Sequence, residues 1–221
     1  MSHPLSLLAA LALCAVLPSG SQAAPDQRWD ASFAAFDADD RAHAPPAGGV
    51  LFVGSSSIRL WDGLETQFDA LPVVVKRGFG GSSMADCAQH LDRLVTRYRP
   101  REVIVYAGDN DLAEGRSPAQ VLESFQVFVD GVHRELPQTR IDYLSIKPSP
   151  LRAPLLARIR ETNALIRDYV AQHARLGFID IFTPMLGPDG APRRELFRAD
   201  ALHLNDAGYA LWRRVISERV K

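Results

Sequence analysis

The sequence predicts an α/β fold of three layers, α/β/α, built on a parallel five-stranded sheet covered by helices on both faces. Three observations predict it. Five short apolar runs have the length of buried strands. Helical patterns with their own start signals lie between them. Segments rich in Gly, Ser and Asp follow the apolar runs, and an open parallel sheet binds its ligands outside the carboxyl ends of its strands.

Taken in order, Asp26 to about His43 reads as a short helix packed on the outside, ended by Pro45, Pro46, Gly48 and Gly49. The strand-like runs are Val50–Val53, Pro72–Val75, Glu102–Tyr106, Ile141–Ile146 and Gly177–Ile181. Between them, Ser83 with Asp86 makes a capping-box start for a helix carrying Met84, Cys87, Leu91, Leu94 and Val95 at helical spacing. Ser117 followed by Pro118 opens a second helix, with Val121, Leu122, Phe125, Phe128, Val129 and Val132 on its apolar face. A third helix carries Leu155, Leu156, Ile159, Leu165, Ile166, Tyr169 and Val170. A last one begins near Asn205 and buries Tyr209, Leu211, Trp212, Val215 and Ile216. No repeat, low-complexity stretch or linker divides the chain, so residues 24–221 are expected to form one domain.

Bulk properties narrow the function. The 221 residues carry a formal net charge of -1, which gives no electrostatic case for nucleic acid or an acidic membrane surface. The arginines are scattered and read as solvated faces. Leu5–Leu17 is an apolar run too short to span a bilayer, followed by small residues at Ser21 and Ala23. Residues 1–23 are therefore expected to be a signal peptide, with Ala24 the first mature residue and the product periplasmic or secreted. The n-region lacks Lys and Arg, and Leu13 is too large for a good lipoprotein site at Cys14. No transmembrane segment is expected once the leader is gone. Cys87 is then the only cysteine, expected as a buried small hydrophobe rather than a nucleophile.

The chemistry-bearing residues sit where the topology wants them. The strand ends run into Gly54-Ser55-Ser56-Ser57, Gly78-Phe79-Gly80-Gly81-Ser82, Gly108-Asp109-Asn110-Asp111 and Lys147-Pro148-Ser149-Pro150. The last helix is preceded by Asp200-Ala201-Leu202-His203. Each segment alone has a bland reading as a cap or a turn. Together they supply what acyl transfer needs. A serine hydroxyl attacks only when a base such as His takes its proton, and a carboxylate on the other ring nitrogen sets the tautomer. The oxyanion formed on attack needs donors already aimed at it, which backbone N–H groups and the Asn110 amide can be. Asp200 and His203, three positions apart, fall on one side of a tight turn.

Gly54-Ser55-Ser56, Gly80-Gly81, Gly108-Asp109-Asn110-Asp111 and Asp200-Ala201-Leu202-His203 resemble, in order, the four motif blocks of the SGNH (GDSL-type) hydrolases. The closest likeness is to bacterial exported members related to the platelet-activating-factor acetylhydrolase catalytic subunits. The resemblance runs from about Val50 to the C-terminus. It implies a flavodoxin-like sheet of order 2-1-3-4-5 and a serine esterase that needs neither cofactor nor metal. Ser56 is then the nucleophile, Asp200 and His203 complete the triad, and Ser56 N–H, Gly81 N–H and the Asn110 side chain form the oxyanion hole. Ser55 departs from the family pattern, which has Asp there, so the choice among Ser55, Ser56 and Ser57 rests on alignment to Gly54. Ser57 also reads as a helix cap, and Gly80 is the alternative to Gly81 if the register slips by one.

Lys147 and Arg152 flank the same edge and are candidates for touching substrate, with a salt bridge as the alternative for each. Trp61, Phe79 and Leu202 are candidates for an acyl pocket, or for core. The substrate expected is a small-molecule, lipid or acetylated-sugar ester. Two other readings compete. Asp109 and Asp111 after a strand could hold Mg²⁺ in a phosphohydrolase, which leaves Gly81 and the Asp200–His203 pair without a role. A non-catalytic carbohydrate-binding or scaffold protein on the same fold would not require a complete triad.

Overall fold

The computed structural model describes residues 27–68, 71 and 73–220. The expected leader lies outside them, as does Asp26. A 3-10 turn, Gln27–Trp29, leads into α1 (Asp30–Ala42), and strands and helices then alternate. They are β1 (Val50–Gly54), α2 (Ser56–Arg59), β2 (Val74–Gly78), α3 (Met84–Gln89), α4 (Leu91–Leu94), β3 (Glu102–Tyr106), α5 (Asp109–Ala113), α6 (Pro118–Glu135), β4 (Arg140–Leu144), α7 (Leu156–Val170), β5 (Leu176–Ile179) and α8 (Asp206–Ser217).

The sheet is five-stranded in the order β2-β1-β3-β4-β5, and every pairing is parallel. β1, and β3 beyond Glu102, are apolar throughout because each face has its own core. Leu51, Val53, Val103 and Val105 point into the layer formed by α1, α3, α6 and α7, among Phe33, Met84, Phe125 and Ile166. Val50, Phe52, Ile104 and Tyr106 point the other way, against Ile58 of α2 and Trp212 and Ile216 of α8. Each such side chain stabilises the fold by roughly 1.5–3 kcal/mol when fully buried. Both capping boxes form: Ser83 with Asp86 at α3, and Ser117 with Gln120 at α6. Cys87 is buried, and burial pushes its thiol pKa up. Among the described residues no helix is long and apolar enough to cross a membrane.

Several element assignments shift: the helix expected through Met84 to Val95 is broken at His90 into α3 and α4, and the fifth strand runs Leu176–Ile179 rather than Gly177–Ile181. The second strand lies later than Pro72–Val75, because β2 is an edge strand that accommodates two cations. Lys76 donates to Trp61 O at 3.1 Å, while Arg77 pairs with Asp40 and donates to Tyr98 Oη at 2.7 Å. The fourth strand stops at Leu144, since the Ser145 hydroxyl accepts from the N–H groups of Ile181 and Phe182, and Asn163 takes both backbone groups of Ile146. The N-terminal helix packs on the outside as expected and is anchored along one side: Phe33, and Trp29 in the turn before it, are buried against Phe79 and His90.

Candidate active site

At the carboxyl end of β1 the chain turns through Gly54, whose φ of 143° is open to glycine. A Cβ there would sit 1.9 Å from Tyr106 O on the neighbouring strand. The close approach lets Ser55 N–H bond Tyr106 O at 3.1 Å and starts α2 at once. Ser55 takes the N-cap position and Ser57 lies inside the helical turn, its carbonyl accepting from Tyr209 Oη at 2.9 Å. The expectation that Ser57 caps the helix is therefore corrected. The side chains of Ser55 and Ser57 are wholly buried, and of the three serines only Ser56 faces the open cleft.

Ser56 meets a residue 147 positions away: His203 Nε2 lies 3.1 Å from Ser56 Oγ. His203 Nδ1 lies 2.7 Å from Asp200 Oδ2, and Asp200 Oδ1 accepts the backbone N–H groups of Leu202 and His203, each at 2.9 Å. Between them Ala201 holds a left-handed φ of 60°, a conformation that costs a residue with a Cβ about 1–2 kcal/mol. Partial burial would raise the Asp200 pKa. The hydrogen bonds from the His203 ring, His203 N–H and Leu202 N–H override it and hold the carboxyl well below the usual carboxylate range.

The third wall comes from β2 and β3. Gly81 turns with φ 77°, and Asn110, in the first turn of α5, donates through Nδ2 to Ser82 O at 3.0 Å. An amide has two N–H groups, so one remains for the cleft. Ser56, Gly80, Gly81, Asn110, Leu202 and His203 line one cleft of about 470 Å³, together with Arg28, Trp29, Ser32 and Arg59.

The structure separates the two basic candidates. Arg152 donates to Asn110 Oδ1 at 3.4 Å, so it touches a cleft residue without itself being among those that line the cleft. Lys147 is moved out of the substrate-binding set: it is buried, and its ammonium donates to Asp109 Oδ2 at 2.7 Å and Tyr106 Oη at 3.0 Å. Burial pushes Asp109 upward, but the charge and hydrogen bond of Lys147, with the Arg152 charge and the Tyr106 hydroxyl, together outweigh it and leave the carboxyl below its ordinary range. Asp111 is buried beneath the site, where its carboxylate accepts Met84 N–H at 2.9 Å and its pKa is raised by desolvation to about 6. Asp109 and Asp111 thus serve different partners rather than one shared ligand. Leu202 lines the cleft, whereas Trp61 and Phe79 are core.

Arg28, Trp29, Ser32 and Arg59 are the cleft residues that sequence reasoning missed. For Arg59 a signal existed, since it lies three positions after Ser56 in a helix that starts there and so shares its face.

Residues 47–211 match the pattern of the GDSL-like Lipase/Acylhydrolase family. The chain belongs to that family. This GDSL-type acylhydrolase, an ester hydrolase, is 29% identical over 193 residues to the Platelet-activating factor acetylhydrolase IB subunit alpha1 of Bos taurus, covering 83% of this chain and 78% of that one. Its fold is similar to that of a solved Streptococcus pneumonia protein named for platelet activating factor, with TM-score 0.77, 20% identity and coverage of 88% and 94% of the two chains. A GDSL-like lipase from Bacteroides thetaiotaomicron gives TM-score 0.71 at 20% identity, over 84% of this acylhydrolase and 95% of that chain.

Proposed function

We propose that this acylhydrolase cleaves carboxylic esters through an acyl-Ser56 intermediate, on the observation that one imidazole bridges the Ser56 hydroxyl at 3.1 Å and the Asp200 carboxylate at 2.7 Å. His203 Nε2 takes the proton of Ser56 Oγ as the oxygen attacks the ester carbonyl carbon. Asp200, accepting from Nδ1–H, fixes the tautomer and stabilises the imidazolium. The tetrahedral oxyanion is met by Ser56 N–H, Gly81 N–H and Asn110 Nδ2, each donor worth roughly 3 kcal/mol of barrier. Collapse breaks the carbon–oxygen bond of the ester and His203 protonates the departing alcohol. A water deprotonated by His203 then attacks the acyl carbon, and the free acid leaves as Ser56 recovers its proton.

The substrate class that fits is a short acyl group on a polar alcohol, such as an acetylated sugar. Six of the ten described lining residues carry polar or charged side chains, and Trp29 and Leu202 are the large apolar ones among them, which favours a short acyl group over a long chain. A fluorophosphonate probe should label the purified protein at Ser56 and nowhere else, as located by mass spectrometry. Ser56→Ala should abolish both labelling and hydrolysis of para-nitrophenyl acetate with the fold intact. Hydrolysis should be insensitive to chelator and should decline along a series from acetyl to palmitoyl esters. An adduct on another residue, or activity retained in Ser56→Ala, rejects the mechanism. Rates rising with chain length reject the substrate class.

The reading of residues 1–23 as a cleaved leader, and so of an exported enzyme, is part of the same proposal. It is supported by the apolar run Leu5–Leu17 and the small residues before Ala24. Amino-terminal sequencing of protein from the native host should find Ala24 first. A retained Met1 in a cytosolic fraction refutes it.

A further inference from the structure

Two guanidinium groups lie along the Gly80–Gly81 turn, on the wall where the oxyanion is expected. A Cβ built on Gly80 would stand 2.8 Å from Arg59 Nε, and one on Gly81 would stand 2.9 Å from an Arg28 terminal nitrogen. Arg28 is oriented from outside: it donates to Gly81 O at 2.8 Å, and its guanidinium carbon stacks 4.6 Å above the Trp29 ring. Arg59 rises from the same helical turn as Ser56 and is exposed. Most arginines that carry partners elsewhere on the surface hold carboxylates: Arg93 and Arg97 hold Asp37, Arg140 holds Asp142 and Arg193 holds Glu195. Arg59 has no carboxylate partner among the described residues. Among the described residues no Asp or Glu lines the cleft, and the nearby Asp200 is committed to His203.

A cleft whose described wall carries Arg59 without a carboxylate partner, and no anion, has a field suited to one kind of ligand. We propose that the acylhydrolase selects esters that carry an oxyanion group, carboxylate or phosphate, close to the scissile bond, and that Arg59 reads it. The planar guanidinium matches either group through two parallel N–H bonds, which a lysine cannot do. The proposal rests on the acyl-Ser56 reading for the position of the scissile carbonyl. It also accounts for paired glycines at this turn, since a side chain at either position would displace one of the guanidinium groups.

Three esters with one acyl group test it: para-acetoxybenzoate, para-acetoxyphenyl phosphate and the neutral methyl para-acetoxybenzoate. At low ionic strength at least one anionic ester should exceed the neutral one in kcat/KM by about tenfold, mainly through KM, and high salt should erase the gap. The anionic ester preferred tells carboxylate from phosphate. Arg59→Gln should lower the anionic-to-neutral ratio about tenfold, with partial recovery in Arg59→Lys. Equal kcat/KM for charged and neutral esters overturns the proposal while leaving the acyl-serine mechanism standing. So does an Arg59→Gln variant that slows all three alike, because the arginine then serves only the common oxyanion. Hydrolysis of none of the three overturns the acyl-serine reading itself, and this proposal with it.

Discussion

The two halves of the site are built by opposite means. The half that carries Ser56, Gly81 and Asn110 is rooted in the sheet: Gly54 packs against Tyr106, Asn110 is tied to Ser82, and Asp111 is tied to Met84 beneath them. The half that carries Asp200 and His203 is a single turn outside any strand or helix, shaped by its own side chain, with Asp200 accepting three bonds from residues within three positions of it. One half is set by long-range packing and the other by local hydrogen bonding. The proposed nucleophile should therefore be inseparable from the fold, whereas the proposed base should be removable at little cost to it.

The largest expected effect tests the second statement. His203→Ala should lower kcat/KM for a short ester by about 10⁴-fold and leave the thermal midpoint within a few degrees of the parent. A loss of stability comparable to a core substitution would break the contrast. Gly54→Ala tests the first. Its methyl would collide with Tyr106 O at a φ that alanine avoids, so a loss of about 4 kcal/mol or more, read by denaturant unfolding, is expected.

The halves should also answer pH with opposite sign. Asp111, raised to about 6, keeps its proton in the folded state where the unfolded chain has lost it. Its contribution is complete below the ordinary Asp value and fades as pH rises from about 4 to about 6. Asp111→Asn should flatten that decline, sparing on the order of 2 kcal/mol at neutral pH. Asp200, held low, contributes only above the ordinary Asp value and loses its contribution as pH falls through its own depressed pKa. Being about half exposed, it contributes little. Urea midpoints measured across this range, with and without the Asn substitution, separate the two. The smallest effect is expected at Ala201: Ala201→Gly relieves the left-handed backbone but frees the unfolded chain, so a net gain of about 0.5 kcal/mol should appear as a slightly higher Tm.

This contrast also explains what the sequence disclosed. Local features were legible: the capping boxes at Ser83 and Ser117, the Asn205 cap of α8, and the Asp200–His203 turn are each written in adjacent residues. The apolar runs located the central strands β1 and β3 almost to the residue. They missed the edge strand β2 by several positions, because Lys76 and Arg77 break the pattern while finding partners in Trp61, Tyr98 and Asp40. Long-range partners were not legible. Nothing near Lys147 announces that its ammonium turns inward to Asp109, and nothing in the N-terminal segment announces that Arg28 will lie on Gly81.

That last contact sets a boundary. Trp29 donates to Gly80 O at 3.0 Å and Arg28 to Gly81 O, so the opening turn of the described chain splints the loop that supplies a proposed oxyanion donor. A shortened recombinant version beginning after Trp29 would retain every member of the proposed triad and still lose that splint. The minimal competent fragment of this acylhydrolase is accordingly expected to start no later than Arg28, upstream of where its motif blocks alone would suggest cutting.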